Sequence, residues 1–227
     1  MFARNFLRSA LALGGFAALA SCGGGSTSTP AAASFADVQG EISDFVDELN
    51  ALPATPVSNL PVNQDISYRG AIVVFETNDR LEQFSPLGVP GLDLDFASRA
   101  PTLDLDYAAI GELDIVIGYP APGGRGTITG SADNFYELRN PNGGVDAAGS
   151  RGSIDGSLNF GRNGVISGDL DKVSGETASY ELRSGDFGFI LPFGNNADAI
   201  AGGAIGNSSA SGRARVNAGA VFLGDRQ

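Results

Sequence analysis

Two runs decide the fold: LDIVIGY at 113–119 and GTITGSADNFYEL at 126–138, separated by a Pro-Gly loop. Both are rich in β-branched and aromatic residues and are bounded by turn formers, which marks a pair of strands. Similar runs follow. SIDGSLNFG (153–161) and GVISGDLDKV (164–173) are joined by the short turn Arg162-Asn163, and TASYELRSGDFGFILPFG (177–194) and GRARVNAGAVFLG (212–224) complete the series. Upstream, Tyr68 to Thr77 carries Ile72-Val73-Val74-Phe75 and starts the sheet. Strands with turn signals every 8–12 residues, no βαβ alternation and no long second helix predict an antiparallel all-β barrel or sandwich. Glycine, at 33 of 227 residues, is about twice as frequent as usual, which suits tight turns and kinks at barrel corners.

Two further runs, LDLDFA (92–97) and LDLDY (103–107), alternate strictly between apolar and acidic residues. On a strand, Leu92, Leu94 and Phe96 share one face and Asp93 and Asp95 the other; Leu103, Leu105 and Tyr107 likewise oppose Asp104 and Asp106. Each Asp-x-Asp pair offers oxygens to Ca²⁺, which takes six to eight of them. Neither sits in a glycine-bearing calcium loop, so a solvent-facing strand surface is expected and no metal or other cofactor.

Before the sheet, Ser34 opens a capping-box-like Ser-Phe-Ala-Asp, and Val38, Ile42, Phe45, Val46 and Leu49 stripe one face of a helix expected over 35–51 and ended by Pro53. That stripe is expected to dock on the following domain. Residues 53–65 hold three prolines and no periodicity, hence a connector. Residues 23–33, GGGSTSTPAAA, form a flexible tether, with a root-mean-square reach of roughly 20 Å.

The first 21 residues have the features of an export signal: Arg4 and Arg8, an apolar core from Leu11 to Leu19 interrupted by Gly14 and Gly15, then small residues. The core falls short of the about 20 apolar residues a membrane span needs. Leu19-Ala20-Ser21-Cys22 resembles the bacterial lipobox, and Cys22 is the only cysteine in the chain. Cys22 is therefore the expected lipidation site, where several acyl chains would anchor the protein lastingly. Gly23, in place of an aspartate at that position, points to the outer membrane. The expected organisation is a signal at 1–21, a tether at 22–33, helix and connector at 34–66, and the β-domain at 67–227.

Removing residues 1–21 takes two arginines and no acid, leaving 12 basic and 26 acidic residues and a net charge of −14. Such a balance argues against nucleic acid and serves solubility. With no pair of cysteines the domain must be held by its core. The absence of histidine excludes Ser-His-Asp and Cys-His catalysis and histidine zinc sites. A Ser-Lys dyad would depend on the single lysine, Lys172, at the end of a strand. The loop Gly123-Gly124-Arg125-Gly126 precedes a strand, whereas phosphate cradles precede a helix. No catalytic residue is expected.

The run from LDIVIGY through GRGTITGSADNFYE is similar to the repeated hairpin of the transferrin-binding protein B-like barrel family. Gly185-Asp186-Phe187-Gly188, the segment Phe193 to Gly203 and the closing Gly219 to Gln227 resemble that family's terminal hairpin, in which Phe-x-Gly-x-x-Ala-x-x-x-Gly-Gly leads to a closing strand. The match covers about 110–227. The resemblance implies an eight-stranded up-and-down barrel, lipid-anchored at the outer membrane, whose relatives capture host transferrin, haemoglobin, haem or complement regulators. This chain departs from the larger relatives in having one barrel and no handle domain. With no histidine, haem ligation would fall to a tyrosine such as Tyr107 or Tyr119. The expected function is a non-enzymatic binding module for a host protein or small solute, acting as a monomer. The alternative is an envelope-assembly lipoprotein without a small ligand, in which the 35–51 helix contacts another envelope protein.

Overall fold

The computed structural model describes residues 44, 48, 49, 51–78, 105–122, 124–138, 150–162, 164–183, 190–210 and 214–227, all within one compact unit spanning 32–227. Cys22, the tether, the 92–97 run and most of the 35–51 helix lie outside the described residues; Asp44, Glu48, Leu49 and Ala51 are helical. After a 3-10 turn at Val57–Asn59 come nine strands: β1 (Gln64–Thr77), β2 (Leu105–Tyr119), β3 (Thr127–Leu138), β4 (Ser150–Phe160), β5 (Val165–Asp171), β6 (Thr177–Arg183), β7 (Ile190–Phe193), β8 (Ala199–Ala210) and β9 (Val216–Arg226).

Each strand of the barrel pairs antiparallel with its neighbour, in the order β6-β5-β4-β3-β2-β1-β9-β8, and β6 pairs with β8 to close the ring at eight. The short β7 pairs with the same edge of β8 further along, Phe193 facing Ala199 and Ile190 facing Gly202, so it prolongs the line of β6. Its other edge is covered by the connector, where the Thr55 N–H donates to the Pro192 carbonyl and the Gly194 N–H to the Pro53 carbonyl. Closure and this patch together leave little free strand edge, the usual route to aggregation.

Strand alternation sends one set of side chains inward. Ile66, Tyr68, Ile72 and Val74 of β1 meet Leu113, Ile115 and Ile117 of β2, Leu158 and Phe160 of β4, Leu182 of β6, and Phe222 of β9 in one buried cluster. The rings of Phe160 and Phe222 meet edge to face, 5.7 Å between centroids. Facing these large residues, β8 turns in Ile200, Gly202, Ala204, Gly206 and Ser208, mostly small, which is how a narrow barrel is filled without overpacking. The Phe135 ring also lies against Gly111, where a bulge interrupts the β2–β3 register between Ile110 and Glu112.

The outer wall has two characters. Over β4–β6, Asn159, Ser167, Asp169, Asp171, Ser179, Glu181 and Arg183 are exposed, with Ser179 donating to Asp169 at 2.5 Å across the pair. On these strands the wall is polar outside and apolar inside. Over β8, β9, β1 and β2, however, Ala199, Ala201, Val221, Leu223, Ala71, Val73, Phe75 and Ile110 point outward and are buried. Part of this band is covered by Leu49 and Leu52, which pack with Leu223, Ala199, Ala201, Phe193 and Leu191.

The structure refines the sequence reading in three places. Leu105-Asp106-Tyr107, the end of the LDLDY run, and LDIVIGY belong to one 15-residue strand, β2. The 177–194 run is two strands, β6 and β7. β8, AIAGGAIGNSSA, carries almost none of the bulky residues that signal a strand, yet it closes the ring.

Candidate functional site

Two polar assemblies stand out, one inside the barrel and one on its wall. The inner one is built on Glu76, whose even position in β1 turns its carboxylate into the interior beyond Val74. Glu76 Oε1 accepts from the Tyr180 hydroxyl at 2.9 Å and the Ser208 hydroxyl at 2.7 Å, and Oε2 accepts from Lys172 Nζ at 2.8 Å. Lys172 follows β5 and folds back over this end of the barrel. Its ammonium lies 4.2 Å from the centre of the Tyr107 ring and 3.9 Å from Glu176. Both members of the Lys172–Glu76 pair are 7 % exposed.

Burial pushes the Tyr180 hydroxyl well above its ordinary value, and the neighbouring Glu76 charge adds to this, so Tyr180 is a hydrogen-bond donor. Tyr107 is pushed up in the same way by burial and by the Glu137 and Glu76 charges, and its oxygen has no hydrogen-bond partner. The cluster is a plug: three donors converge on one carboxylate and close the end. It cannot act as a Ser-Lys dyad, because Ser208 and Lys172 both donate to Glu76 and not to each other.

The opposite end is closed by tyrosine. The Tyr68 hydroxyl donates to the Ala197 carbonyl at 2.9 Å and lies 2.9 Å from the Tyr119 hydroxyl. Burial raises both hydroxyls above the ordinary tyrosine range. Ala197 reaches Tyr68 through the turn at 194–198, where Gly194 (φ 83) and Ala197 (φ 53) are left-handed and the Asn195 N–H donates to Asp198 at 3.0 Å. The Phe193-Gly194-x-x-Ala197 motif thus forms a turn that closes the barrel. Tyr107 and Tyr119, the candidate haem ligands, sit at opposite ends of β2, one packed beneath Lys172 and the other bonded to Tyr68. Neither offers a free phenolate to a pocket.

The outer assembly is a groove of about 520 Å³ lined by Arg69, Glu112, Asp114, Ser131, Asp133 and Asp225, with the backbone of Gly70 and Leu113 as its floor. Its geometry follows from register. Asp225 of β9 faces Arg69 of β1, Arg69 faces Asp114 of β2, and Asp114 faces Ser131 of β3. Arg69 donates to Asp114 at 3.1 Å, both well exposed, a contact worth only about 0.2–1 kcal/mol. Asn134, at φ 52 in the β3 bulge, donates to Glu112 at 3.3 Å. The carboxylates of Glu112, Asp114 and Asp133 against one arginine give the groove a negative field that favours a cationic occupant.

Asp225 differs from its neighbours. Burial, reinforced by the adjacent Glu48 carboxylate, raises it to about 7, and its Oδ1 is buried without a hydrogen-bond partner. Among the described residues no cluster of three or more acidic, histidine or cysteine side chains is placed to hold a metal. Of the Asp-x-Asp pairs, Asp106 is exposed and accepts from Asn78 at 2.6 Å. Lys172 was singled out in the sequence, but its partner Glu76 was not. The signal was there: one acid at the inward parity of an otherwise apolar strand, in a chain with one lysine. The groove left no local signal, because its residues come from four strands.

The described residues define an eight-stranded antiparallel barrel with a packed interior and a ninth strand prolonging one wall. Comparison with protein families, with curated proteins and with solved structures finds no match.

Proposed function

We propose that the protein is a non-enzymatic binding module, lipid-anchored through Cys22 at the outer membrane, that engages a macromolecular partner with the outside of its barrel. The observation that carries this reading is the filled interior. Large side chains pack across the described lumen, Glu76 with its three donors plugs one end, and the Tyr68–Tyr119–Ala197 contacts close the other. Small-ligand sites are concave and apolar with a few convergent polar groups; here the convergent polar groups satisfy one another. What remains for recognition is the wall and the loops, and the acidic groove on β9-β1-β2-β3 suits a basic segment of a partner protein.

The lipobox-like Leu19-Ala20-Ser21-Cys22 and the tether supply the anchor, and the resemblance to the transferrin-binding protein B-like family supports surface display and capture of a host protein. The helix at 35–51 belongs to the arm joining tether and barrel. The test is capture from intact cells and from host serum by the immobilised chain 22–227 carrying Cys22→Ser. A stoichiometric partner, lost on Asp114→Lys/Asp133→Lys substitution, is expected. Capture only of envelope proteins, unaffected by that substitution but lost with residues 34–52, would establish the envelope-assembly role instead.

A further inference from the structure

Arg69 stands between two carboxylates and pairs with one of them. Along one row of the outer wall the register runs Asp225 of β9, Arg69 of β1 and Asp114 of β2. Arg69 therefore has an acid on each side, one strand spacing of about 4.8 Å away, and its long stem reaches either. It donates to Asp114 at 3.1 Å, with the two side chains 68 and 56 % exposed. That choice turns it away from Asp225, whose Oδ1 is buried without a hydrogen-bond partner.

The surroundings of Asp225 account for the choice. Glu48 faces it from the helical segment whose Leu49 packs on Leu223, two residues back in β9. On β8 its register partner is the uncharged Ala199. The neighbouring Asp198 accepts from the Asn195 N–H with its carboxylate and from the Arg226 N–H with its carbonyl. The Arg226 guanidinium donates to the Asn196 carbonyl, and the Gln227 side chain donates to the Asp225 main chain. Further along the groove lie Glu112, Asp114 and Asp133. Burial and Glu48 together raise the Asp225 carboxyl to about 7, and none of the groups acting on it is a cation. In a chain without histidine, few side chains change charge near neutrality.

We propose that Arg69 is a proton-controlled latch: it rests on Asp114 while Asp225 is protonated and crosses to Asp225 when that proton leaves. The exposed Arg69–Asp114 contact is weak and exchanges cheaply. An ionised Asp225 is half-buried, so its attraction for Arg69 is less screened, and Glu48 beside it doubles the negative charge on that side. One proton thus suffices to tip the arginine. The consequence for recognition rests on the reading of the groove as a seat for a basic segment. In the latched state the guanidinium neutralises Asp114 and opposes a cationic occupant. In the released state Asp114 joins Glu112 and Asp133, so the groove binds cations more tightly as pH rises through neutrality.

Site-resolved nuclear magnetic resonance of the chain 22–227 with Cys22→Ser, titrated from about pH 5 to 9, tests the latch without a ligand. The Asp225 and Asp114 carboxyl carbons and the Arg69 Nε should change together, with one midpoint at about 7. Asp225→Asn should leave the Arg69 signal flat over the whole range, and Glu48→Gln should move the Asp225 and Arg69 midpoints down together. An Arg69 signal that stays flat while Asp225 titrates, or that still moves in Asp225→Asn, would overturn the proposal. A tetra-arginine peptide then probes the groove at constant salt. Its affinity should rise about two- to fivefold from pH 5.5 to 8.5, as one exposed charge contact is gained, and Asp225→Asn should abolish the rise. A coupled titration with no peptide binding at either pH would uphold the latch and sink the groove reading alone.

Discussion

Replacing Glu76 by leucine removes the acceptor of three buried donors while keeping the volume. Lys172 then loses its 2.8 Å partner at 7 % exposure, with Glu176 at 3.9 Å as the remaining carboxylate. One-sided loss of a buried pair costs about 3–5 kcal/mol, and Glu176 together with the Tyr107 ring, worth about 1 kcal/mol, moves this toward the lower bound. The Tyr180 and Ser208 hydroxyls are stranded as well, at about 1–3 kcal/mol each before relaxation. Glu76→Leu should therefore cost about 5 kcal/mol or more. Lys172→Met should cost less, about 3 kcal/mol, because Glu76 keeps both hydroxyl donors. The double variant should cost less than the sum of the two, since no charge is left buried. Urea unfolding of the 22–227 chain, followed by tyrosine fluorescence because there is no tryptophan, measures all three. The hub reading fails if Glu76→Leu costs under about 1 kcal/mol, as a surface pair would, or if Lys172→Met proves the costlier single change.

Three further outcomes follow from the same geometry. Asp225 is raised from 3.8 to about 7 in the folded state, so between those values the native chain holds the extra proton; stability should fall as pH rises through that window and level off above it. At full strength such a shift is about 4 kcal/mol, but the groove beside Asp225 is open to water, so about 1–2 kcal/mol is expected; Asp225→Asn should flatten the melting-temperature profile between pH 4 and 7. Phe222→Ala, at the centre of the core against Phe160, should cost about 3–5 kcal/mol in urea unfolding. Gly219→Val would drive a side chain into the Phe75 ring and should destabilise by about 1–3 kcal/mol, with Phe75→Ala in the same chain restoring part of the loss.

The barrel was legible where its strands are built from bulky alternating residues, as in Ile72 to Phe75 or Leu113 to Tyr119. It was not legible in β8, where Gly202, Ala204, Gly206 and Ser208 are small because the lumen opposite already holds Phe222 and Tyr180. A strand chosen for what it must not fill carries no propensity signal. The β3 bulge opposite Gly111, where Asn134 is left-handed and the Phe135 ring lies against Gly111, was hidden because it is set by the pairing of two strands. The Glu76 hub and the groove share this property: each gathers residues far apart in the chain, through register that alternation alone does not specify.

The central claim, a solid barrel held at the membrane by Cys22, meets its most direct test in the mass of the mature amino terminus. Protein extracted from membranes of the producing cell should give an N-terminal peptide beginning at Cys22 and bearing a diacylglyceryl thioether, and Cys22→Ala should move the protein from the membrane to the soluble fraction. An unmodified Cys22, or a membrane fraction unchanged by Cys22→Ala, would contradict the account.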